Sequence, residues 1–387
     1  MVYDFNEKIN RKNTNSAKFD GLERYFGYTD LNPLWVADMD FKTPDFINDE
    51  IIKAAKNSTY GYSIDSIELY DSIISWQKSQ HNWDINKEDI LMINGVVPAY
   101  SACIEAFCEN ENDEVIVQTP IYPPLYECVE TNNKKLVINE LKEKDGYYTM
   151  DLEDLKSKIT KNTKILALCS PHNPVGRIWN KKELEDLAKI CLENNIIIVS
   201  DEIHGDITFG KFTPLASISE EIANITITLN SAGKTFNIAG LNTAYAISKN
   251  KDILNKFKEI VHKREIQSIN FFGYIATKAA YEKGDSFVKE LNSYVLENME
   301  FTKSYLQKHN SKIKFLIPEA TYLLWLNFED TGLKHDEIRD ILLTKAKIAL
   351  NDGVSFGSNG TCYFRINVAL SRNALKVALA DICKYFK

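Results

Sequence analysis

The sequence predicts an α/β protein in which a large, doubly wound and mostly parallel sheet is followed by a smaller α+β domain. From residue 89 onward, short apolar runs alternate with segments of helical spacing, which is the order that a doubly wound sheet requires. The run Ile196 to Val199 is apolar at every position, as is typical of a buried parallel strand. With 387 residues, the chain has ample length for two domains.

Five strands are predicted in the large domain, each a short apolar run. They are Ile90 to Ile93, Glu114 to Gln118, Ile165 to Cys169, Ile196 to Val199 and Ile225 to Leu229. Helical spacing covers Ala99 to Cys108. A second helix, Lys181 to Leu192, follows a capping box in which Asn180 is the cap and Glu183 closes the box.

After Ile247 the chain is predicted to be helical and then to form the small domain. The helical part comprises Lys251 to Lys263 and a longer region, Phe271 to Gln307, that bridges to the second domain. The closing segments are predicted as strands Phe315 to Ile317, Tyr322 to Leu326 and Thr361 to Val368, and helices His335 to Lys345 and Arg372 to Tyr385. We therefore expect an arm at 1–45 that packs on the small domain and the active site, a large domain at 46–284, and a small domain at 285–387.

Two predicted strands are followed by residues of complementary chemistry. Asp201 comes after the strand that ends at Val199, and Lys234 after the strand that ends at Leu229. Ligands of open α/β sheets bind outside the carboxyl ends of the strands, so this acid and this lysine can meet one ligand. A lysine that forms a Schiff base and a carboxylate that keeps a pyridine nitrogen protonated are what pyridoxal phosphate requires. Taken singly, the acid could be a helix cap and the lysine a surface residue.

The motifs around this pair resemble those of a known family. They are SDEIHGD at 200–206 and NSAGKTFNIAGL at 230–241, with WVADMDF at 35–41, YGY at 60–62, QTPIYPPLY at 118–126 and SPHNPVGR at 170–177. Together they resemble the fold-type I pyridoxal-phosphate enzymes of the aminotransferase class I/II superfamily, and specifically their cystathionine β-lyase-like carbon–sulfur lyase branch. The resemblance extends over nearly the whole chain. It implies the aminotransferase-like fold type I, pyridoxal 5′-phosphate as cofactor, and Lys234 and Asp201 as catalytic residues.

The phosphate of the cofactor is expected at the start of a helix. Gly95 precedes a helix with Pro98 in its first turn, which leaves free N–H groups pointing at the turn. We assign the backbone of Gly95, Val96 and Val97 to the phosphate. Without Lys234 in the same sequence, an ordinary connection between strand and helix would be the preferred interpretation.

The ring of the cofactor has its own candidates. Tyr122 lies on a proline-restricted loop where an aromatic can lie flat on a pyridine ring, and by resemblance it is the stacking residue and one of the catalytic residues. The resemblance also implies that Asn173 donates a hydrogen bond to the phenolate oxygen. His172 and His204 match the lyase branch, and His172 is equally well interpreted as a structural histidine. His204 is assigned to the cofactor, either supporting Asp201 or replacing a tyrosine contact found in many aminotransferases.

The sequence departs from the wider family in two places. Asn242 stands eight residues after Lys234, where many fold-type I enzymes have a phosphate-binding arginine, and the usual serine-rich segment retains only Ser231. Phosphate binding is therefore expected to depend on Ser231, Tyr62 and the helix start near Val96. By resemblance, Tyr62 reaches the phosphate of the other subunit, which implies a homodimer with shared active sites.

Substrate binding is assigned to one arginine and to the arm. Arg365 is the one charged residue in the apolar strand 363–367, and its fork matches a carboxylate. A structural ion pair is the alternative, but the position matches the α-carboxylate anchor of the family. The resemblance further implies that the backbone near Val36 and Ala37 helps to hold the same carboxylate. Lys263 and Arg264 are secondary candidates, for which surface exposure is the preferred interpretation.

Net charge, cysteine spacing and hydropathy limit which partners, redox chemistry and location we expect for this protein. The net charge of −8 argues against general nucleic-acid binding. Seven scattered cysteines without CxxC spacing indicate reduced thiols, with neither a disulfide framework nor a metal site. No signal peptide and no run long enough to span a membrane are recognised, so we expect a cytoplasmic protein.

These residues together predict a β-elimination. Arg365 would hold the carboxylate of an amino acid, Lys234 would remove the α-proton, and the pyridinium that Asp201 maintains would stabilise the carbanion. A thiolate on the β-carbon could then leave, so we expect a lyase acting on cystathionine, cysteine or another cysteine S-conjugate. Two alternatives stay open: an aminotransferase with a 2-oxo acid acceptor, and a regulatory binding module that retains the cofactor fold.

Overall fold

The chain begins with short elements and then alternates strands with helices. The structure is a computed structural model that describes residues 3–64 and 66–386. Its strands are β1 Asn32–Pro33, β2 Ile90–Ile93, β3 Glu114–Val117, β4 Lys135–Ile138, β5 Lys142–Lys144, β6 Tyr147–Thr149, β7 Thr163–Cys169, β8 Ile197–Asp201, β9 Thr226–Asn230, β10 Ala244–Ile247, β11 Leu323–Asn327, β12 Ile348–Ala349, β13 Asn351–Asp352 and β14 Tyr363–Asn367.

Helices cover both faces of the large sheet and much of the small domain. They are α1 Ala17–Asp20, α2 Leu22–Phe26, α3 Asp45–Ala55, α4 Ile67–His81, α5 Val96–Phe107, α6 Pro124–Thr131, α7 Leu152–Lys158, α8 Lys181–Glu193, α9 Glu220–Ala223, α10 Lys251–Lys263, α11 Phe271–Lys283, α12 Asp285–His309, α13 His335–Asp340 and α14 Arg372–Tyr385. In the part of the chain described here, none is both long enough and apolar enough to cross a membrane.

The central sheet has seven strands in the order β2-β10-β9-β8-β7-β3-β4. The pairs from β9 to β4 are parallel, whereas β10 runs antiparallel to both of its neighbours. This is the doubly wound, mostly parallel sheet that the sequence predicts. The five predicted strands of the large domain are all present, with ends shifted by at most two residues.

Both faces of the sheet are buried, which explains why its strands are apolar at nearly every position. In β7, Ile165 and Ala167 pack on one face in a cluster that includes Phe257 of α10. Leu166 and Leu168 point to the other face and pack with Leu184 of α8. Successive side chains of a strand alternate between faces, so a strand covered on both sides needs apolar residues throughout.

The small domain carries a three-stranded antiparallel sheet in the order β11-β14-β13. The segment before α3 contacts this domain directly, because β1 pairs in parallel with β12. This pairing is compatible with the predicted arm at 1–45, and the division of the chain into arm, large domain and small domain stays a prediction.

Three details differ from the sequence prediction. The predicted strand Phe315 to Ile317 is wrong: these residues lie outside the named strands, beside an isolated bridge between Lys314 and Asn327. The long helical region divides at Gly284, where a Cβ atom would lie 2.3 Å from the ring of Phe236. The helix expected at 335–345 is α-helical to residue 340 and π-helical over Ile341–Lys345.

Candidate active site

The predicted catalytic residues lie at the carboxyl ends of adjacent parallel strands. Asp201 is the last residue of β8 and pairs in register with Cys169, the last residue of β7. Lys234 follows the end of β9, and Asn173 follows the end of β7. The order of the sheet thus brings an acid, an amine and an amide to one edge, where ligands of open α/β sheets bind.

Lys234 has a hydrogen-bonded amine with a lowered pKa. Its Nζ donates a hydrogen bond to the carbonyl of Ala37 at 2.7 Å. Burial, reinforced by the positive charge of Arg365, lowers the pKa of Lys234 to about 8, while Asp38 and Asp201 act in the opposite direction. An amine with this pKa has a far larger unprotonated fraction near neutral pH than an ordinary lysine, and that fraction can act as nucleophile or base.

Asp201 is a buried acid with little local compensation. It is 6% exposed, and burial raises its pKa to about 6. The N–H of Ile203 donates to its carboxylate at 3.2 Å, and no side chain in the described residues donates to it. A protonated ring nitrogen would supply the missing partner, which is the role predicted for this residue.

The start of α5 offers free amides. Gly95 is the N-cap of this helix, and Val96 and Val97 are its first residues, whose N–H groups have no intrahelical acceptor. A Cβ at Gly95 would lie 3.2 Å from the ring of Pro98, a closer contact than most side chains make. The geometry suits an anion, and the assignment of these residues to the phosphate stays a prediction.

The two other phosphate candidates are placed differently. The hydroxyl of Ser231 donates to the carbonyl of Thr243 at 2.6 Å and accepts from the N–H of Gly233 at 3.0 Å. Its single hydrogen is therefore engaged within the turn, and a phosphate contact would require the hydroxyl to rotate. Tyr62 is fully exposed, so its predicted contact with a second subunit stays a prediction.

Tyr122 is half-buried and is affected by the charges of both Asp201 and Arg365. Burial raises its pKa, Arg365 lowers it and Asp201 raises it, so the ring lies within the electrostatic reach of both charges. The loop that carries it is tied to the small domain, because Ile121 donates its N–H to the carbonyl of Phe356 at 2.8 Å. The site therefore spans the large sheet and the small domain.

Arg365 is buried without an ionic partner. It is 2% exposed, and in the described residues it forms no salt bridge with a carboxylate. Its Nη1 donates to Oδ1 of Asn173 at 2.9 Å, its Nη2 donates to the carbonyl of Trp35 at 3.0 Å, and Nε has no partner in the described chain. The guanidinium lies 4.9 Å from the ring centre of Phe356. Because a buried guanidinium needs a counter-charge, this geometry disfavours the structural ion pair and favours a carboxylate ligand.

The arm lines the site with its backbone. The carbonyls of Trp35 and Ala37 accept from Arg365 and Lys234, as described above. The N–H groups of Val36 and Ala37 make no hydrogen bond within the described residues, so they are available to a carboxylate. Their predicted role in substrate binding is compatible with this arrangement and stays a prediction.

Four side chains that the sequence analysis missed hold the arm in place. Each donates to a main-chain carbonyl between residues 35 and 41. They are Asn237, Tyr322, Asn351 and Asn367. Two of them carried a signal: Asn367 follows Arg365 by two residues in β14 and so shares its face, and Asn237 follows Lys234 by three.

The two histidines have different surroundings. His204 is buried, and burial together with Lys234 and Arg365 holds its pKa well below the usual range, so it is neutral. Its Nδ1 has no partner in the described residues, and no hydrogen bond joins it to Asp201. Direct support of Asp201 is therefore not observed, whereas a contact with a ligand stays open. His172 bonds through Nε2 to the carbonyl of Pro120 at 2.8 Å, and burial lowers its pKa to about 4.

The secondary cationic candidates lie elsewhere. Lys263 and Arg264 are exposed, and both form ion pairs with Glu105 at 2.9 Å and 2.7 Å. The preferred interpretation of these two residues as surface residues is confirmed.

The residues at this edge of the sheet fit pyridoxal phosphate. An amine of lowered pKa suits the aldehyde, a buried uncompensated acid suits the ring nitrogen, and unpaired helix amides suit the phosphate. The Oδ1 of Asn173 is occupied by Arg365, and its Nδ2 has no partner in the described residues, which leaves a donor for the phenolate oxygen. The site thus provides a matching group for each end of this cofactor.

Comparison with known proteins agrees with this assignment. The family model for aminotransferase class I and II matches residues 34–382. Cystathionine beta-lyase PatB of Bacillus subtilis is 37% identical over 382 residues, covering 98% of each chain. A pyridoxal-phosphate-bound protein of Clostridium difficile 630, described provisionally as an aminotransferase, has a TM-score of 0.97 at 40% identity over 100% of both chains. Cystalysin of Treponema denticola, which contains pyridoxal 5′-phosphate, has a TM-score of 0.96 at 34% identity over 100% of this chain and 99% of its own.

Sequence motifs, sheet topology, the lysine–acid pair and these full-length similarities all agree, and this chain belongs to the aminotransferase class I and II family of fold-type I pyridoxal-phosphate enzymes.

Proposed function

We propose that this protein is a pyridoxal-phosphate-dependent carbon–sulfur β-lyase that cleaves L-cystathionine or a related cysteine S-conjugate to a thiol, pyruvate and ammonia. The observation that carries the proposal is that Arg365 is buried without an ionic partner in the described residues. Arg365 and the amine of Lys234 also donate to carbonyls of the same short segment of the arm, those of Trp35 and Ala37. Such a pair suits a substrate that has a carboxylate and an acidic Cα–H. The choice of sulfur chemistry is supported by similarity to cystathionine beta-lyase PatB and to a C-S lyase of Staphylococcus hominis at 30% identity.

Binding of the substrate depends on the two domains together. Arg365 would hold the α-carboxylate with the fork edge that includes Nε, the one guanidinium nitrogen without a partner in the described chain. Asn173 and Trp35 occupy Nη1 and Nη2, which fixes the plane of the guanidinium. The free N–H groups of Val36 and Ala37 would complete the carboxylate site from the arm. A fixed carboxylate orients the Cα–H of the substrate.

Proton transfer is assigned to Lys234. When bound, pyridoxal phosphate supplies an aldehyde that captures the substrate amine and a ring that withdraws electrons from Cα. The free amine of Lys234 would remove the α-proton, and its hydrogen bond to Ala37 sets the direction of the nitrogen lone pair. Asp201 would hold the proton of the ring nitrogen, and Tyr122 would cover one face of the ring. Loss of the sulfur substituent from Cβ then yields the thiol, and addition of water releases pyruvate and ammonia.

The proposal is tested by product analysis. Purified protein is incubated with L-cystathionine and with L-cysteine. Pyruvate is measured for both substrates, free thiol for L-cystathionine and sulfide for L-cysteine, with Lys234→Ala as the matched control. We expect pyruvate in an amount equal to the thiol or the sulfide released, and neither product from the variant. Stoichiometric transfer of the amino group to a 2-oxo acid, without pyruvate, would contradict the lyase. It would favour the aminotransferase, a second candidate supported by similarity to aspartate aminotransferase of Bacillus sp. at 29% identity over 92% of each chain.

We further propose a homodimer with shared active sites. Four large apolar side chains are strongly exposed within a short segment: Tyr60, Tyr62, Ile64 and Ile67. An exposed apolar cluster of this kind is typical of a protein interface, and Tyr62 would reach the phosphate bound by the other subunit. Mixing Tyr62→Ala and Lys234→Ala subunits should restore activity, because a hybrid dimer would contain one intact site. Absence of restoration, or a monomer in sedimentation, would contradict the proposal.

The proposed location is the cytoplasm. All seven cysteines are free thiols, and six of them are buried, as is usual in a reducing compartment.

A further inference from the structure

Four charged side chains meet behind the arm and form a cluster that no predicted role includes. Arg11 pairs with Asp38 at 2.5 Å and with Asp40 at 2.7 Å. Lys18 pairs with Asp40 at 2.9 Å and lies 3.6 Å from Asp38. The Lys18 side chain is 1% exposed and the other three are about one-fifth exposed, so this cluster is protected from solvent. We call these four residues the charge cluster.

The two cations of the charge cluster also donate hydrogen bonds to the main chain of the arm. Nη1 of Arg11 donates to the carbonyl of Met39 at 3.2 Å, and Nζ of Lys18 donates to the carbonyl of Asp38 at 3.4 Å. The carbonyl of Lys18 in turn accepts from the indole N–H of Trp35 at 3.2 Å. Residues 35–40 are thus fixed from the N-terminal side through side chains and backbone alike.

The opposite side of the same segment touches the reactive groups. The carbonyl of Ala37, which accepts from Lys234, belongs to the peptide unit that joins Ala37 to Asp38. The carbonyl of Trp35, which accepts from Arg365, lies two residues earlier. Any movement of the backbone at residue 38 therefore moves the acceptor of the catalytic amine.

We propose that Arg11 and Lys18 are positioning residues, which act through Asp38 and Asp40 to hold the carbonyls of Ala37 and Trp35 on Lys234 and Arg365. Arg11 and Lys18 would thereby control how the amine and the carboxylate site are presented to the substrate. The inference rests on the proposed function for the roles of Lys234 and Arg365.

Electrostatics gives the charge cluster a second effect on Lys234. The charged and titratable groups that bear on this amine are Asp38, Asp201, Arg365 and the neutral His204. Asp38 raises the pKa of Lys234, and Arg11 and Lys18 offset the two carboxylates of the cluster. Removing a cation should raise the titration midpoint of Lys234, and removing a carboxylate should lower it. A merely structural cluster would change thermal stability without this pair of opposite shifts.

The test compares Arg11→Gln, which removes a cation, with Asp38→Asn, which removes the carboxylate that raises the pKa of Lys234. The titration midpoint of the Lys234 amine is measured on full-length apoenzyme, from the pH dependence of the rate at which an amine-specific reagent modifies Lys234, with mass spectrometry as the readout. KM and kcat are measured on the holoenzyme. We expect a midpoint higher by about half a unit for Arg11→Gln and lower by a similar amount for Asp38→Asn. KM should rise about tenfold in both, because loss of one charge-assisted contact is worth about 1.4 kcal/mol.

Two controls complete the design. Arg11→Lys should restore the midpoint and most of the affinity, because it keeps the charge. Lys347→Gln, which removes an exposed ion pair with Asp30 at 2.9 Å, should change neither quantity. Midpoints unchanged within about 0.2 units and KM unchanged within about twofold in both test variants would overturn the proposal. The apoenzyme titration does not depend on the sulfur substrate, so a failed lyase assay and a failed charge cluster are distinguishable.

Discussion

Replacing Arg365 with methionine tests whether this residue is a ligand anchor or a structural ion-pair partner. Methionine has a similar length and keeps the contact with Phe356, but it has neither charge nor donors. In the present structure the guanidinium is 2% exposed, and burial lowers its pKa to about 10 because no carboxylate of the described chain compensates it. The free protein therefore retains an incompletely compensated buried cation.

The expected effect on stability is small. The variant loses the two hydrogen bonds to Asn173 and Trp35, each worth about 1–2 kcal/mol, and gains relief from burying an unpaired charge, which is worth several kcal/mol. The carbonyl of Trp35 keeps its second donor, Nδ2 of Asn351. We expect the free energy of unfolding of the apoenzyme to stay within about 1–2 kcal/mol of the wild type.

The expected effect on catalysis is large. Removing one member of a buried, hydrogen-bonded charge pair with the substrate carboxylate costs about 3–5 kcal/mol. At about 1.4 kcal/mol per factor of ten, kcat/KM should fall by roughly 150- to 4,000-fold. The assays are pyruvate release from L-cystathionine and urea unfolding of the apoenzyme. Arg339→Met, at a position where the side chain is 59% exposed, is the matched control and should affect neither.

Two outcomes would refute this reasoning. A loss of kcat/KM below about tenfold would show that Arg365 does not bind the substrate carboxylate. A loss of stability above about 3 kcal/mol would show that the guanidinium is part of a structural network.

Four further variants, at three positions, test the cofactor site. Burial raises the pKa of Asp201 to about 6 from 3.8, so the stability associated with its protonated form is complete below about pH 4 and is lost as pH rises through 6. Apoenzyme carrying Asp201→Asn should therefore be more stable than wild type by about 3 kcal/mol at pH 8 and equal to it near pH 4 in urea titrations, although its affinity for the cofactor falls. Tyr122→Phe should keep cofactor affinity within about threefold in equilibrium titrations, because no described residue bonds the hydroxyl, whereas Tyr122→Ala should lose about tenfold through the missing ring contact. Ser231→Ala removes the bond to Thr243 that braces the turn before Lys234. It should weaken cofactor binding about tenfold, and unchanged affinity would show that Ser231 serves neither the turn nor the phosphate.

Local patterns predicted the large sheet because burial on both faces leaves a strong signal. The strands from Ile165 to Cys169 and from Ile197 to Val199 are apolar at every position or nearly so, and the chain between them has helical spacing with a capping box that the structure confirms. The same criterion failed at Phe315 and Ile317, where apolar residues pack partly into the core without pairing as a strand. Apolar alternation alone does not distinguish a strand from an irregular segment laid on the core.

The site was predictable where residue types carry the chemistry and unpredictable where the backbone does. Asp201, Lys234 and Arg365 could be proposed because an acid and a lysine follow neighbouring strand ends, an arginine interrupts an apolar strand, and the motifs around them resemble those of one family. Taken singly, each of these residue types would fit a structural or surface role. The carbonyl of Ala37 as acceptor for Lys234 leaves no trace in residue identity, and neither does the role of Tyr322 in holding it. These contacts join residues that lie almost 200 or more positions apart in the sequence. They depend on how the arm packs against the rest of the chain, which no local pattern encodes.

The measurement that most directly tests the central claim is the location of the cofactor on the chain. Holoenzyme is reduced with borohydride, digested and analysed by mass spectrometry for a phosphopyridoxyl group. We expect this group on the peptide that contains Lys234, and we expect no labelled peptide from Lys234→Ala. Labelling of a different lysine, or no label on protein that releases pyruvate from L-cystathionine, would contradict the assignment of Lys234 and the active site built around it.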